Sequence, residues 1–393
     1  MQSGTRILFC SPCALNRKLG AAKTLIELAE ALEKLGWQCD LVDPARVGAG
    51  PGQYPEKLLA YLKAHASAYD IVEFDYKRLY FERSELPPDV LFVARCQLLL
   101  HHFLDITIPP VPTVRDRFRA RLFDARERRH KGARIKRYNA TLQAADLIVV
   151  ANEKDKTVLG RHGLSPEDIC VFPYGLSPAQ HRALHAVPVA PPAAARVAFI
   201  GMYGPRKGGA DFPDLVRRVT AAVPDARFRL LGTRGRYRSK RAVLSLFPRT
   251  LRSRIEVIPS YAPEHLPDLL APCAVGVFPS YVEGFGYAVL EMLSAALPVV
   301  AYDAPGPPAM LPPAYLVPPG DTAAMSTRVA HLLLDPDALA EARRWARQRA
   351  QAFDWQQIAP ALAERYLAAL AQQRAGTTSP QKIPPTPPYP YTG

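Results

Sequence analysis

Glu283 and Glu291 stand with seven residues between them in the segment Tyr281-Val282-Glu283-Gly284-Phe285-Gly286-Tyr287-Ala288-Val289-Leu290-Glu291. Glu291 is the only charged residue between Gly284 and Tyr302. A lone carboxylate in so apolar a stretch is costly unless something satisfies it. Gly284 and Gly286 allow the backbone to approach a ligand closely and to adopt dihedrals closed to other residues. An apolar helix should begin just after them. Its first turn offers N–H groups without intrahelical partners and the positive end of the dipole, which suits an anion. Glu291 falls about one turn inside that helix, within reach of the sugar hydroxyls of a ligand anchored there. Glu283 lies in the preceding loop and serves another part of the same extended ligand.

Such a site needs a strand before it and a helix after it, and the sequence supplies a series of both. In the first half, strands are expected at Arg6 to Cys10, Gln38 to Val42, Ile71 to Phe74, Val90 to Ala94 and Leu147 to Ala151. A helix from about Lys23 to Leu35 follows the loop that holds Gly20, with Leu25, Leu28, Ala29 and Leu32 at helical spacing. In the second half, strands are expected at Val197 to Gly201, Arg227 to Leu231, Ile255 to Ile258, Val275 to Pro279 and Pro298 to Tyr302. Alternating strands and helices imply α/β domains with mostly parallel sheets. A chain of 393 residues is long enough for two of them. The Pro/Ala-rich residues 188–195 are the expected linker between a domain over residues 1–187 and another over 196–355. A terminal helix over 356–375, apolar from Ile358 to Leu370, should follow. The Pro-rich residues 376–393 cannot form a core and should be disordered.

With these pieces in order, the chain resembles glycosyltransferase family 4, whose fold is called GT-B. Glu283 and Glu291 match that family's paired-glutamate signature, and Glu283-Gly284-Phe285-Gly286 matches its local form. Phe199-Ile200-Gly201-Met202-Tyr203-Gly204-Pro205-Arg206-Lys207-Gly208 resembles its strand and Lys-Gly segment. Leu230-Leu231-Gly232, Val317-Pro318-Pro319-Gly320-Asp321 and Phe353-Asp354-Trp355 resemble later landmarks.

The resemblance implies two facing Rossmann-like, doubly wound domains, with the last helix packing back on the first. It implies a retaining, hexosyltransferase-like enzyme that moves a sugar from a nucleotide-diphosphate sugar to a glycan, lipid-linked or small-molecule acceptor. No cofactor and no metal are implied. Lys207 and Arg206 would neutralise the leaving diphosphate, Glu283 would contact the transferred sugar, and Glu291 would hold the ribose. The backbone of Gly284, Phe285, Gly286, Tyr287 and Ala288 would lie near the phosphates, and Gly20 would face them from the first domain. The sequence departs from the family pattern in four places. Met202 replaces a frequent arginine, and Arg206 is the candidate to compensate for it. Pro173-Tyr174-Gly175 replaces Pro-Asn-Gly. Gln97 stands where a histidine is usual, with His101 and His102 following as packing or capping residues. The acidic residue usual after the strand that ends at Tyr302 is missing from the loop Ala304-Pro305-Gly306-Pro307-Pro308 that follows Asp303.

Bulk properties narrow the partners. Apolar residues make up 48% and charged residues 22%, a globular balance. No apolar run approaches the roughly 20 residues that span a bilayer, and no signal-peptide core is present, so a cytoplasmic location is expected. The net charge of +14 points to anionic partners. It is concentrated in Arg115–Arg137, with eleven basic and three acidic residues, and in Arg227–Arg254, with ten basic residues and no acid. Either run is a solvated face or a contact for an anion. The first could be an amphipathic helix touching the inner membrane face peripherally; nucleic acid is not the expected partner. Cys10-Ser11-Pro12-Cys13 reads as a structural loop rather than a redox pair, and Asp335-Pro336-Asp337 as a helix cap rather than a metal motif. Two other functions share this architecture, a non-catalytic basic binding module and a sugar-nucleotide epimerase. A panel of nucleotide sugars separates all three.

Overall fold

The computed structural model describes residues 4–17, 19–111 and 131–376. The chain divides into two compact units, each built on a six-stranded, wholly parallel sheet with flanking helices.

The first unit holds β1 (Arg6–Cys10), β2 (Gln38–Val42), β3 (Ile71–Asp75), β4 (Leu91–Cys96), β5 (Leu147–Val150) and β6 (Ile169–Val171), ordered β2-β1-β3-β4-β5-β6. Every residue of β3, β4 and β5 is buried, as expected for parallel strands covered on both faces. β6 has only three residues and lies at the sheet edge, too short to leave a sequence pattern. Gly20 starts the helix Gly20–Glu33 rather than preceding it as a loop, and Thr24 Oγ1 donates to the Gly20 carbonyl at 2.9 Å.

The second unit holds β7 (Arg196–Ile200), β8 (Arg227–Leu231), β9 (Ile255–Ile258), β10 (Val275–Phe278), β11 (Val299–Tyr302) and the two-residue β12 (Leu316–Val317). Their order is β12-β11-β10-β7-β8-β9. Parallel pairing places the carboxyl ends of β7, β8, β10 and β11 along one edge, where open α/β sheets take ligands.

Residues 178–352, and with them the described residues 102–111, group with the second unit and residues 353–376 with the first, so residues 188–195 lie inside the second unit. The start of the segment read as a linker is held within the second unit by Arg343 of the helix Pro336–Ala350, and the residues just before it by Arg347 of the same helix. Arg343, fully buried, donates to the carbonyls of Pro188, Val189, Cys273 and Ala274 at 2.7–3.2 Å. Arg347 donates to those of His185 and Val187.

At the return crossing, Leu176 N–H donates to the Phe353 carbonyl at 2.9 Å, and Trp355 N–H donates back to that of Leu176. The terminal helix Trp355–Arg374 lies within one residue of the expected bounds and packs on the first unit. Trp355 donates to Glu27, and Tyr366 donates to Glu73. Arg95 of β4 completes that group as a buried ion pair with Glu73.

Asp335 caps the helix Pro336–Ala350, accepting from the N–H groups of Asp337 and Ala338. Cys10 is buried and Cys13 half-buried, both as free thiols. Burial, with the Glu73 charge nearby, pushes the Cys10 thiol far above its ordinary value, which disfavours the thiolate that redox exchange requires. Of the Arg115–Arg137 run, residues 115–130 lie outside the described residues, and 131–144 are helical. Residues 377–393, most of the tail read as disordered, also lie outside them.

Candidate active site

Three loops meet at the carboxyl edge of the second sheet. The loop after β7 makes a single 3₁₀ turn, Pro205–Lys207, ended by Gly208 at φ 73°. A Cβ on Gly208 would lie 2.2 Å from the Pro279 carbonyl oxygen. Only glycine lets this turn rest on the residue that follows β10. Tyr281 N–H, two residues further, donates to the Arg206 carbonyl at 2.9 Å. The two loops are thus fixed to each other through backbone.

This contact brings Lys207, Arg206 and Glu283 together. Lys207 Nζ donates to Glu283 Oε2, and Arg206 Nη1 donates to the same oxygen at 3.1 Å and to the Val282 carbonyl at 2.8 Å. The Lys207 ammonium also lies 4.6 Å from the centre of the Phe278 ring. Two cations share one carboxylate, so the pair is asymmetric. Burial works to raise the Glu283 carboxyl, but Lys207 and Arg206 outweigh it and hold it below the usual carboxylate range. Lys207 is drawn below the ordinary lysine value by burial and by Arg206, against the pull of Glu283. The cluster keeps one positive charge in excess.

Gly286 takes φ 98°, and the helix Tyr287–Ser294 starts at the next residue. Val289 N–H donates to the Gly286 carbonyl at 2.8 Å. Glu291 lies in that helix, close enough for its charge to act on Lys207 and on Tyr261. Glu283, Lys207, Arg206, Glu291 and the Gly284 to Ala288 backbone therefore form one locus: fixed cations, a helix start and two carboxylates at a sheet edge. Such a locus can hold a phosphorylated ligand and stabilise charge that develops on it. Gly20 belongs to the first unit, at the start of its own helix. His101 is fully buried against the His162 ring, with Nε2 2.7 Å from Asn139 Oδ1.

The sequence reading missed several supports. Asp211 accepts from both Tyr281 and Tyr302 hydroxyls. A Cβ on Gly306 would lie 2.4 Å from the Phe285 carbonyl oxygen, so the Pro305-Gly306-Pro307-Pro308 loop backs the Glu283 loop. The available signal was that glycine between prolines, which marks a close backbone approach. No group of three or more metal-ligating side chains occurs among the described residues. None of their helices is long and apolar enough to cross a membrane.

Two family models match the chain in succession: Glycosyltransferase Family 4 over residues 19–180 and Glycosyl transferases group 1 over residues 194–335, between them most of its length. Among curated proteins, the D-inositol 3-phosphate glycosyltransferase of Saccharomonospora viridis is 28% identical over 250 residues, covering 58% of this chain and 57% of the relative. That of Rhodococcus erythropolis is 29% identical over 193 residues, covering 46% and 43%. The chain thus spans about half the length of these relatives. Among solved structures, sucrose-phosphate synthase from Thermosynechococcus elongatus superposes with a TM-score of 0.68 at 20% identity, covering 95% of this chain and all of that one. Anabaena HepE in complex with UDP-glucose gives 0.66 at 18%, covering 92% and 98%. Both share the two-domain GT-B fold.

Proposed function

The chain belongs to glycosyltransferase family 4, the group 1 glycosyl transferases, and from that membership we propose that it is a retaining, metal-independent enzyme using a nucleotide-diphosphate hexose. The observation that carries this reading is the Lys207–Glu283–Arg206 cluster beside the glycine-hinged helix start. When the bond between the sugar and the diphosphate breaks, its electrons remain on the phosphate oxygen. Lys207 and Arg206, already held in place, stabilise that growing charge without reorganisation. Glu283 receives their hydrogen bonds before a ligand arrives. A diphosphate drawing on the same cations frees its carboxylate for the hydroxyls of the transferred sugar. Glu291, about one turn inside the helix, holds the ribose. The UDP-glucose held by HepE supports a nucleotide sugar as donor.

The acceptor is a glycan, a lipid-linked sugar or a small polyol, reached in the cytoplasm or at its membrane face. The exposed residues Arg234, Arg236, Arg238, Lys240 and Arg241, with no acid from 227 to 254, support contact with an anionic surface.

The test is incubation with UDP-, GDP- and ADP-hexoses in EDTA, following nucleoside diphosphate release and the anomeric configuration of the product. Release of diphosphate with retained configuration supports the reading. Inverted product, strict dependence on Mn²⁺ or Mg²⁺, or an isomerised donor with no diphosphate released would each overturn part of it.

A further inference from the structure

Asp211 occupies the N-cap of the helix Phe212–Ala222 but makes no side-chain cap. Aspartate there ordinarily accepts from an N–H of the first turn. Here the carboxylate turns away, and Oδ2 accepts at 2.8 Å from both Tyr281 Oη and Tyr302 Oη. Both tyrosines are buried, at 4% and 0% exposure, and their rings pack edge to face at 5.3 Å. A Cβ on Gly320 would lie 3.2 Å from the Tyr281 hydroxyl, so that group has little freedom to move. No lysine or arginine pairs with Asp211 among the described residues. A half-buried carboxylate bound only by two hydroxyls serves stability poorly compared with a helix cap, and this choice of partners calls for another reason.

The reason lies in what the two ends hold. Asp211 is four residues after Lys207, and its own N–H donates to the Gly208 carbonyl at 2.9 Å. Tyr281 is two residues before Glu283, and its N–H donates to the Arg206 carbonyl. The side-chain bond Asp211–Tyr281 therefore closes a second link between the loop carrying the cations and the loop carrying the carboxylate. We infer that Asp211 is a positioning residue that, through Tyr281, fixes Lys207 and Arg206 relative to Glu283 so that the cations are set for the leaving diphosphate. The inference rests on the proposed glycosyl transfer. Tyr302 shares the same carboxylate oxygen but stands at the end of β11, away from both loops in sequence, and so provides an internal control.

Tyr281→Phe and Tyr302→Phe each remove a buried hydroxyl bond to the same oxygen, and both should lower the melting temperature. Only Tyr281→Phe unties the loops. It should reduce kcat by about 10- to 100-fold, the effect of a small misplacement of fixed charges, while donor KM changes less than about twofold. It should also weaken calorimetric binding of the free nucleoside diphosphate more than that of the nucleotide sugar, since the diphosphate carries the fuller leaving charge. Asp211→Ala should behave like Tyr281→Phe. Asp211→Asn should recover most of kcat, because its amide oxygen can still accept from both hydroxyls. Equal kcat in the two phenylalanine variants, or Asp211→Asn as damaged as Asp211→Ala, overturns the positioning role while leaving glycosyl transfer in place. A wild-type protein that neither binds UDP, ADP or GDP nor releases any of them from a nucleotide sugar overturns both.

Discussion

Gly208 and Pro279 approach so closely that no side chain fits between them, and this contact helps hold the loop of the cations against the loop of Glu283. Gly208 also needs φ 73°, which residues with a Cβ rarely adopt. Gly208→Ala should therefore combine backbone strain with a clash against the Pro279 carbonyl. A loss of about 2–4 kcal/mol is expected, with turnover falling even where the protein remains folded. Gly204 is the control. Its φ of 176° is ordinary extended backbone, and a Cβ there meets nothing within 4 Å. Gly204→Ala should stay within about 0.5 kcal/mol of the parent in urea denaturation. Equal loss in the two variants would show that the turn does not depend on this contact.

Lys207 and Glu283 should separate in kinetics. Lys207→Ala should cut kcat by about 10²- to 10³-fold, because the charge it meets is largest in the transition state, and should weaken donor binding far less. Glu283→Gln keeps the shape of the loop but leaves Lys207 and Arg206 without their shared anion. It should impair transfer while nucleotide affinity stays nearly intact. Steady-state kinetics beside calorimetry with the nucleoside diphosphate reads both effects. Unchanged kcat in either variant places the chemistry elsewhere.

Much of this site was legible in the sequence, because its parts are local. The glycines around Glu283, the strand before them and the apolar helix after them lie within some twenty consecutive residues, and each leaves its own composition signal. The buried strands β5 and β10 were equally plain, since they read as continuous apolar runs. What escaped depends on pairs distant in the chain. Asp211, Tyr281 and Tyr302 span ninety-one positions, and nothing in any one of them announces the others. The true crossing points escaped for the same reason. Arg343 binds carbonyls about 150 residues away, and backbone acceptors have no sequence signature. The edge strands β6 and β12 are too short to show a period.

The first unit offers a prediction about stability. Glu73 and Arg95 are 1% and 2% exposed and pair through Arg95 Nε to Oε1 and Arg95 Nη2 to Oε2, the latter at 2.9 Å. Arg95 Nη2 also lies 3.1 Å from Tyr366 Oη, which donates to Glu73 in turn. Arg95→Met leaves a buried carboxylate with only the tyrosine, and a loss of about 3–5 kcal/mol is expected. Tyr366→Phe should cost less, about 1–3 kcal/mol, as one buried hydroxyl bond is removed. Replacing both charges, Glu73→Leu with Arg95→Met, should be milder than Arg95→Met alone, because no unpaired charge remains. A double variant worse than the sum of the singles would show that the pair contributes more than mutual neutralisation.

Asp214 gives the second unit a pH dependence. Burial acts to raise its carboxyl, but the Thr322 hydroxyl and the Arg218 and Arg217 guanidiniums outweigh it and hold it at about 2. A pKa depressed on folding stabilises the native state above the unfolded value of about 4, and that contribution is lost as pH falls toward 2. The side chain is 38% exposed, so solvent screening limits the effect to about 1 kcal/mol. Asp214→Asn should lower stability at pH 7 by about this amount, with the difference vanishing near pH 2. Urea midpoints measured between pH 2 and 7 check it. A constant difference across that range would assign the loss to the Thr322 hydrogen bond rather than to charge.

The exposed cations at residues 234–241 lead to the last prediction. Arg234, Arg236 and Arg238 alternate along one loop, and Lys240 and Arg241 begin the short helix after it, where Ser239 caps the first turn by accepting from Ala242 N–H. Met202, 56% exposed, lies against this loop, since a Cβ on Gly235 would be 3.3 Å from its sulfur. A basic loop with an exposed thioether side chain suits the headgroup region of an anionic bilayer, where each cation near the surface contributes about 1 kcal/mol. Sedimentation with phosphatidylserine vesicles should therefore capture the protein at low salt. Phosphatidylcholine vesicles should not, and capture should decline as added salt shortens the screening length. Reversing Arg234, Arg238 and Lys240 to glutamate together should abolish capture while leaving Lys207 and Glu283, and so nucleotide binding, intact. If that variant still sediments, the attraction comes from the other basic run, Arg115–Arg137, and the loop at the edge of the second sheet faces water. If the parent itself ignores anionic vesicles at low salt, both runs are solvated faces and the acceptor is a soluble one.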